Sequence, residues 1–266
     1  MTSQAASPSL RANFKYLYQD VFWFGVQAGS AMAFITIFAT RLGASAFQIS
    51  LLTAGPAVVN LLFSLPAGQW MSGRSLTGLA FWSSVWHRLG YLLLVPLPWL
   101  FPDLFKIWVI VLVTLLISIP GTLLAISFNA LFAEVVPAEW RAEVVGKRNA
   151  LMAISITLTS LLSGQLLDGL PYPLNYGVVF AIGALGASVS TYYLRKLRLP
   201  SAGDAGAEQQ LLVRPDPAVR RTIPGLRGMP GLELLRTSYG PFLLAYLLFY
   251  TFQYLGVPIF PLVQVS

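Results

Sequence analysis

Apolar residues in this chain gather into seven long runs, near 21–40, 47–71, 79–101, 107–133, 149–167, 174–194 and 240–262. Each run is long enough to cross a hydrocarbon core of roughly 30 Å as a helix of about 20 residues. The pattern predicts an all-α integral membrane protein. The short connections between the first six runs make sequential helices antiparallel neighbours in one bundle over 14–196, after a polar tail at 1–13. Residues 197–238 then turn polar and rich in proline and glycine, which reads as a cytoplasmic linker, and 239–266 supply a seventh helix. Ending directly after Pro258 and Pro261, that helix has no partner helices, and the chain reads as cut short there.

Within the runs a second pattern recurs. Ser50, Thr53, Ala57, Asn60, Ser64 and Ala67 step by three or four along the second, and Asn149, Ala153, Thr157, Ser160, Gly164 and Asp168 along the fifth. Such stripes let membrane helices approach closely and bond across their hydroxyls, as do Gly183, Gly186, Ala187 and Ser190 in the sixth. Gly55-Pro56, Pro120-Gly121, and Pro96 with Pro98 interrupt runs near their middle, as hinges or as tolerated kinks.

Composition agrees with the pattern. The chain is 56% hydrophobic and 10% charged, whereas a soluble domain carries about 25% charged residues. The net charge of +7 does not indicate nucleic acid, because the basic residues are parcelled into loops between apolar runs. With the N-terminus in the cytoplasm, fifteen of the 17 Lys and Arg fall inside and only Arg41 and Lys106 outside, the orientation the positive-inside rule favours. The expected location is therefore the plasma (cytoplasmic) membrane. With no cysteine and a single histidine, no metal or cofactor is expected. A serine hydrolase reading of Ser45 with His87 fails, because the two belong to opposite sides of the membrane and a nucleophile must lie within about 3 Å of its base.

Arg88 stands inside the third run. Counted back from Pro102 it lies about 9 Å deep at 1.5 Å per residue, within snorkelling reach. The alternative is a buried carboxylate partner from the cytoplasmic end. Asp20, Asp103, Glu134 and Asp168 all read as helix ends, which leaves no carboxylate at mid-membrane to carry protons.

Two segments carry a resemblance. The connection after the fourth run has Pro137, Arg141 four residues later and Gly146 five beyond, within Ala133-Glu134-Val135-Val136-Pro137-Ala138-Glu139-Trp140-Arg141 and the stretch to Arg148. The second run and its exit pass from Gly43-Ala44-Ser45 to Pro66-Ala67-Gly68-Gln69-Trp70-Met71-Ser72-Gly73-Arg74. Both resemble the major facilitator superfamily, as does the layout of six spans, a basic linker and a further span. Where that family's signature loop has an aspartate this chain has Ser72, so the resemblance does not extend to the loop's charge relay.

The resemblance implies secondary transport of a small molecule by alternating access, with the chain as the N-terminal six-helix half plus the seventh helix, and no enzymatic activity. The implied partners are the substrate, membrane lipids, and either a missing C-terminal half or a second copy. The alternative is a truncated remnant or membrane scaffold. Cytoplasmic gating falls to Gly68, Arg74, Glu134, Arg141 and Gly146. Read from the residues alone, Glu134, Glu139 and Glu143 with Arg141, Lys147 and Arg148, and with Asp20 and Arg74 at nearby helix ends, form either a latch of ion pairs or ordinary solvated loop charge. Substrate would bind at the midplane, where the uncharged candidates are Gln27 and Ser30 with Phe34 at helical spacing on the first span, Asn60 on the second, Ser118 and Thr122 on the fourth, Thr157 and Ser160 on the fifth. Tyr246, Tyr250 and Gln253 form one face of the seventh. An uncharged, aromatic lining suits a neutral or amphipathic molecule.

Overall fold

The computed structural model describes residues 8–71 and 74–199, the side chains of 65, 68 and 69 excepted, together with positions 241, 244, 245 and 248. The chain divides into two units, Met1–Gln209 and Gln210–Ser266. All of the predicted linker beyond 199 and the face of Tyr246, Tyr250 and Gln253 lie outside the described residues. Every element described is helical. They are α1 (Pro8–Arg41), α2 (Ala46–Met71), α3 (Leu76–Leu93), α4 (Asp103–Val135), α5 (Ala138–Gly169) and α6 (Leu174–Arg195). Five of these, α3 being the exception, have windows long and apolar enough to cross a membrane. The chain is a multi-pass membrane protein.

Three boundaries differ from the hydropathy reading. Helix α1 begins at Pro8, a residue whose fixed φ and missing N–H suit a first turn. Its buried residues Asn13, Phe14, Leu17, Asp20 and Val21 keep helical spacing through a stretch too polar to register as a span. Helix α3 stops at Leu93, because Pro96 and Pro98 cannot continue the ladder, and turns occupy the positions up to Phe101. Helix α5 begins at Ala138, directly after Pro137, with Glu139 in its first turn. The presumed inner loop is therefore mostly helix, as its Ala, Glu, Arg and Lys content favours.

Turn chemistry fixes the other ends. Ser45 and Gln48 form a reciprocal capping box before α2, the Ser45 amide donating to Gln48 Oε1 (2.8 Å) and the Gln48 amide to Ser45 Oγ (3.3 Å). The Ser45 hydroxyl is thus occupied in ending a helix. Arg141 reaches back over the end of α4 and donates to the carbonyls of Ala133 (2.7 Å) and Val136 (3.0 Å). A cation at that position satisfies orphan carbonyls and complements the negative end of the helix dipole.

The packing has a definite order. Helix α1 packs on α5 and α6, α4 packs on α2 and α3, and α3 packs on α6. The hydroxyls of the small-residue helices join them: Ser155 Oγ donates to the Phe22 carbonyl (2.7 Å), Ser160 Oγ to Gly29 (3.1 Å) and Ser190 Oγ to Asp20 (2.9 Å). The buried stripe of α5 is Ser155, Thr159 and Ser163, not the predicted one. Asn149, Ala153, Thr157 and Asp168 are exposed, as are Ser50, Thr53, Ala57 and Asn60 on α2. A period locates a stripe but does not say which stripe meets a neighbour.

Two apolar clusters form the core. One joins Phe38, Leu52, Tyr91, Ile110, Tyr176 and Phe180, and the other Phe14, Leu17, Leu131, Val135, Val144 and Leu194. Along α1, α3, α4 and α6 a polar layer falls between them.

Candidate functional site

That layer is built on three charges from three helices. Asp20 of α1 and Arg88 of α3 are only 5% and 7% exposed. Arg88 Nη2 lies 3.7 Å from Asp20 Oδ1, and Arg148 Nη2 of α5 lies 3.7 Å from Asp20 Oδ2. Ser190 of α6 donates to Asp20 Oδ1 at 2.6 Å. Arg88 Nη1 donates to Thr191 Oγ1 (2.6 Å) and to the Ala187 carbonyl (3.2 Å), and Ser84 shares a further bond with Thr191 (3.0 Å). The Arg148 guanidinium stacks over Phe128, 4.6 Å from the ring centre.

This arrangement corrects two expectations. Arg88 does not snorkel: its head turns inward to the Thr191 hydroxyl and faces Asp20, the buried carboxylate that was the alternative reading. Asp20 is not at a helix end, because α1 runs well below the first apolar run. An ion held this way escapes the several-kcal/mol penalty, of order of magnitude, that an unpaired buried charge carries.

The three charges open on a cavity of about 580 Å³. It follows α1 from Asp20 to Thr36, roughly 24 Å of helix at 1.5 Å per residue. Apolar walls come from Phe24, Met32, Ile35, Leu52, Pro56 and Ile117, and uncharged polar groups from Thr36, Asn60, Tyr91, Thr114 and Ser118. Arg88, Arg148 and Phe128 mark one end, towards the N-terminus of α1 and the C-terminus of α4. His87 stands beside Arg88, its Nδ1 2.9 Å from the Ile117 carbonyl and its ring edge-on to Tyr91. A carbonyl only accepts, so Nδ1 carries the proton. Pro120 supplies no N–H to the ladder of α4, and next to it Gly121 leaves room for the imidazole, since a Cβ there would meet Nδ1 at 2.9 Å.

The predicted midplane residues divide into two groups. Asn60 and Ser118 line the cavity, and Thr122 bonds to the Asn60 side chain and to the Ser118 carbonyl (2.9 Å). Ser30, Gln27 and Ser160 lie elsewhere, in the contact of α1 with α5 and α6. Ser30 is spent on the Val26 carbonyl (2.6 Å), and Gln27 is wholly buried with neither amide atom hydrogen-bonded. Phe34 is half-buried, and Thr157 is exposed on α5. Of the gating residues, Arg74 stacks on Trp70 at 3.6 Å, Glu134 and Gly146 are exposed, and Gly68 is in the last turns of α2. The expected latch of acidic residues is represented by Lys147 with Glu143, an exposed pair at 2.6 Å.

Tyr91 and Phe128 were not among the predicted site residues, and Asp20 and Arg148 were named only as members of a cytoplasmic ion-pair latch, not as lining a cavity. The usable signal was the buried stripe Asn13, Leu17 and Asp20, which continues the period of α1 beneath Val21.

No family model matches this chain, and no curated protein or solved structure matches it either.

Proposed function

We propose that this chain forms a six-helix bundle of a secondary transporter of the major facilitator type, moving a small amphipathic molecule by alternating access. The observation that carries the reading is the cavity: about 580 Å³ inside membrane-spanning helices, a size within the range of small-molecule sites, with apolar walls and a few convergent polar groups.

Two further features support it. Exchanging α1 with α4, α2 with α5 and α3 with α6 turns α1 on α6 into α4 on α3, turns α1 on α5 into α4 on α2, and returns α3 on α6 to itself. That correspondence is what an internal three-helix repeat would produce. The exposed small-polar stripes of α2 and α5 suit close approach of a second bundle, from further chain or from a second copy. On this reading the N-terminus is cytoplasmic, and Arg141 ties the end of α4 to the start of α5 so that the two move together.

Uptake by liposomes containing the purified full chain, with a panel of sugars, amino acids and amphipathic drugs, tests transport. Saturable uptake of one class is expected when a second bundle is available. Association through α2 and α5 without uptake of anything would favour a membrane scaffold. Orientation is checked separately: in a chain without native cysteine, Asp103→Cys should be labelled from outside only and Gly206→Cys from inside only.

A further inference from the structure

Charge inside the cavity does not balance. Arg88 and Arg148 face it with one carboxylate, Asp20, between them, while Glu134, Asp103 and Asp168 are exposed elsewhere. The buried layer therefore carries one uncompensated positive charge. Its donors are also in excess: Arg88 Nε and Arg148 Nε are buried without a hydrogen-bond partner. Among the described residues Arg148 donates no hydrogen bond at all. Both contacts to Asp20 are 3.7 Å, longer than a charge-assisted hydrogen bond of about 2.7–2.9 Å.

We propose that this end of the cavity binds the carboxylate of an amphipathic monoanion, held between the Arg88 and Arg148 guanidiniums, with its apolar body along Phe24, Leu124 and Ile35. The inference deepens the transport reading and rests on it, by naming the substrate class. A carboxylate matches the guanidinium fork, whose planar donors suit two oxygens at once. One negative charge neutralises the layer, whereas a dianion would leave it with a buried surplus of the opposite sign. The roughly 24 Å of cavity beside α1 between Asp20 and Thr36, walled largely by apolar side chains, then has a body to accommodate.

The test compares radiolabelled phenylbutyrate with its neutral isostere phenylbutyramide, on the full chain in nanodiscs of zwitterionic lipid. The carboxylate should bind saturably and about tenfold or more tighter than the amide. Arg148→Gln, the substitution that removes no hydrogen bond, should lose that preference. Asp20→Asn keeps an acceptor for Ser190 but removes the competing charge, and should tighten carboxylate binding several-fold. If Asp20→Asn does not fold, Arg148→Gln decides alone. Equal binding of acid and amide, or unchanged preference in Arg148→Gln, would overturn the proposal and leave transport of a neutral substrate standing. Displacement of phenylbutyrate by phosphatidylglycerol added to the disc would reassign the guanidiniums to lipid headgroups and also overturn it. In liposomes with a second bundle available, saturable uptake of the amide but not the acid separates failure of the anion site from failure of transport, which would show as uptake of neither.

Discussion

Helices α2 and α6 have apolar windows of almost equal mean hydropathy, 1.6 and 1.5, yet 11% of the first and 56% of the second are buried inside the bundle. Hydropathy decides that both enter the membrane and decides nothing about what they touch. Lipid chains are as apolar as leucine, so burying Val58 or Leu61 against protein gains little over leaving it in lipid. What draws α6 inward is the absence of side chains. At Gly186 a Cβ would lie 2.9 Å from the Trp23 carbonyl oxygen and 3.0 Å from the Gln27 nitrogen, and at Gly183 it would lie 2.5 Å from Ala31 Cβ. Backbone meets backbone there, and Ser190 and Thr191 on the same face reach the charged layer. Helix α2 meets α4 differently: Gly55 admits the Leu115 side chain, with no backbone atom of α4 within 4 Å of a Cβ placed there.

The comparison breaks most severely at the charged layer. Asp20→Leu leaves the buried Arg88 and the partly buried Arg148 without a counter-ion, and should destabilise the bundle by about 3 kcal/mol. Thermal unfolding in detergent, followed by loss of monodisperse protein, would measure it. Unchanged stability would mean that solvent already neutralises the site.

Gly186→Ala and Gly164→Ala make a matched pair. The first adds a methyl where backbone atoms cannot yield, and should cost about 1–3 kcal/mol. The second adds it on α5 where nothing lies within 4 Å, and should be neutral or stabilising by up to about 1 kcal/mol. Equal effects in the same unfolding assay would refute the claim that close approach separates α6 from its neighbours.

A smaller loss is expected where α2 does engage the bundle by a polar contact. Thr122→Val removes the hydroxyl that bonds Asn60, and should cost about 0.6 kcal/mol, the average for interhelical hydrogen bonds in membranes. A double-mutant cycle with Asn60→Ala would isolate that coupling. Smallest in stability is Gly164→Leu, within about 0.5 kcal/mol of the parent. If the α5 stripe meets a second bundle, the same substitution should nonetheless abolish uptake.

Much of the bundle was legible in the sequence. Runs of apolar residues gave the membrane helices, whereas Pro96 and Pro98, read as interrupting the third run, in fact lie beyond the end of its helix at Leu93. The group Asn60, Ser118 and Thr122 was also legible, because polar side chains at helical spacing on two neighbouring spans have few places to go. What escaped was direction. Gln27, Ser30 and Asn60 follow the same kind of stripe, and only the fold reveals that the first two face α5 and α6 while the third faces the cavity. Asp20 escaped for a related reason: a window that averages hydropathy ends a span where polar residues begin, and cannot register a carboxylate that is buried because cations from two other helices face it.

The five residues Ala28–Met32 form a π turn within α1, at the place where Gly29 lies against Ile156 and its carbonyl accepts from Ser160. A wider turn holds one residue more than the α-helical count, and each residue is worth about 100° of rotation. The two halves of α1 are therefore out of phase with each other, and the angular wheel that places Asp20 cannot be carried through to Thr36. Excising a single residue from this turn would return α1 to an unbroken α-helical count with both halves in their present orientation, so the charged layer and the rest of the cavity would stay in phase and only the wide turn that seats Gly29 against Ile156 would be lost.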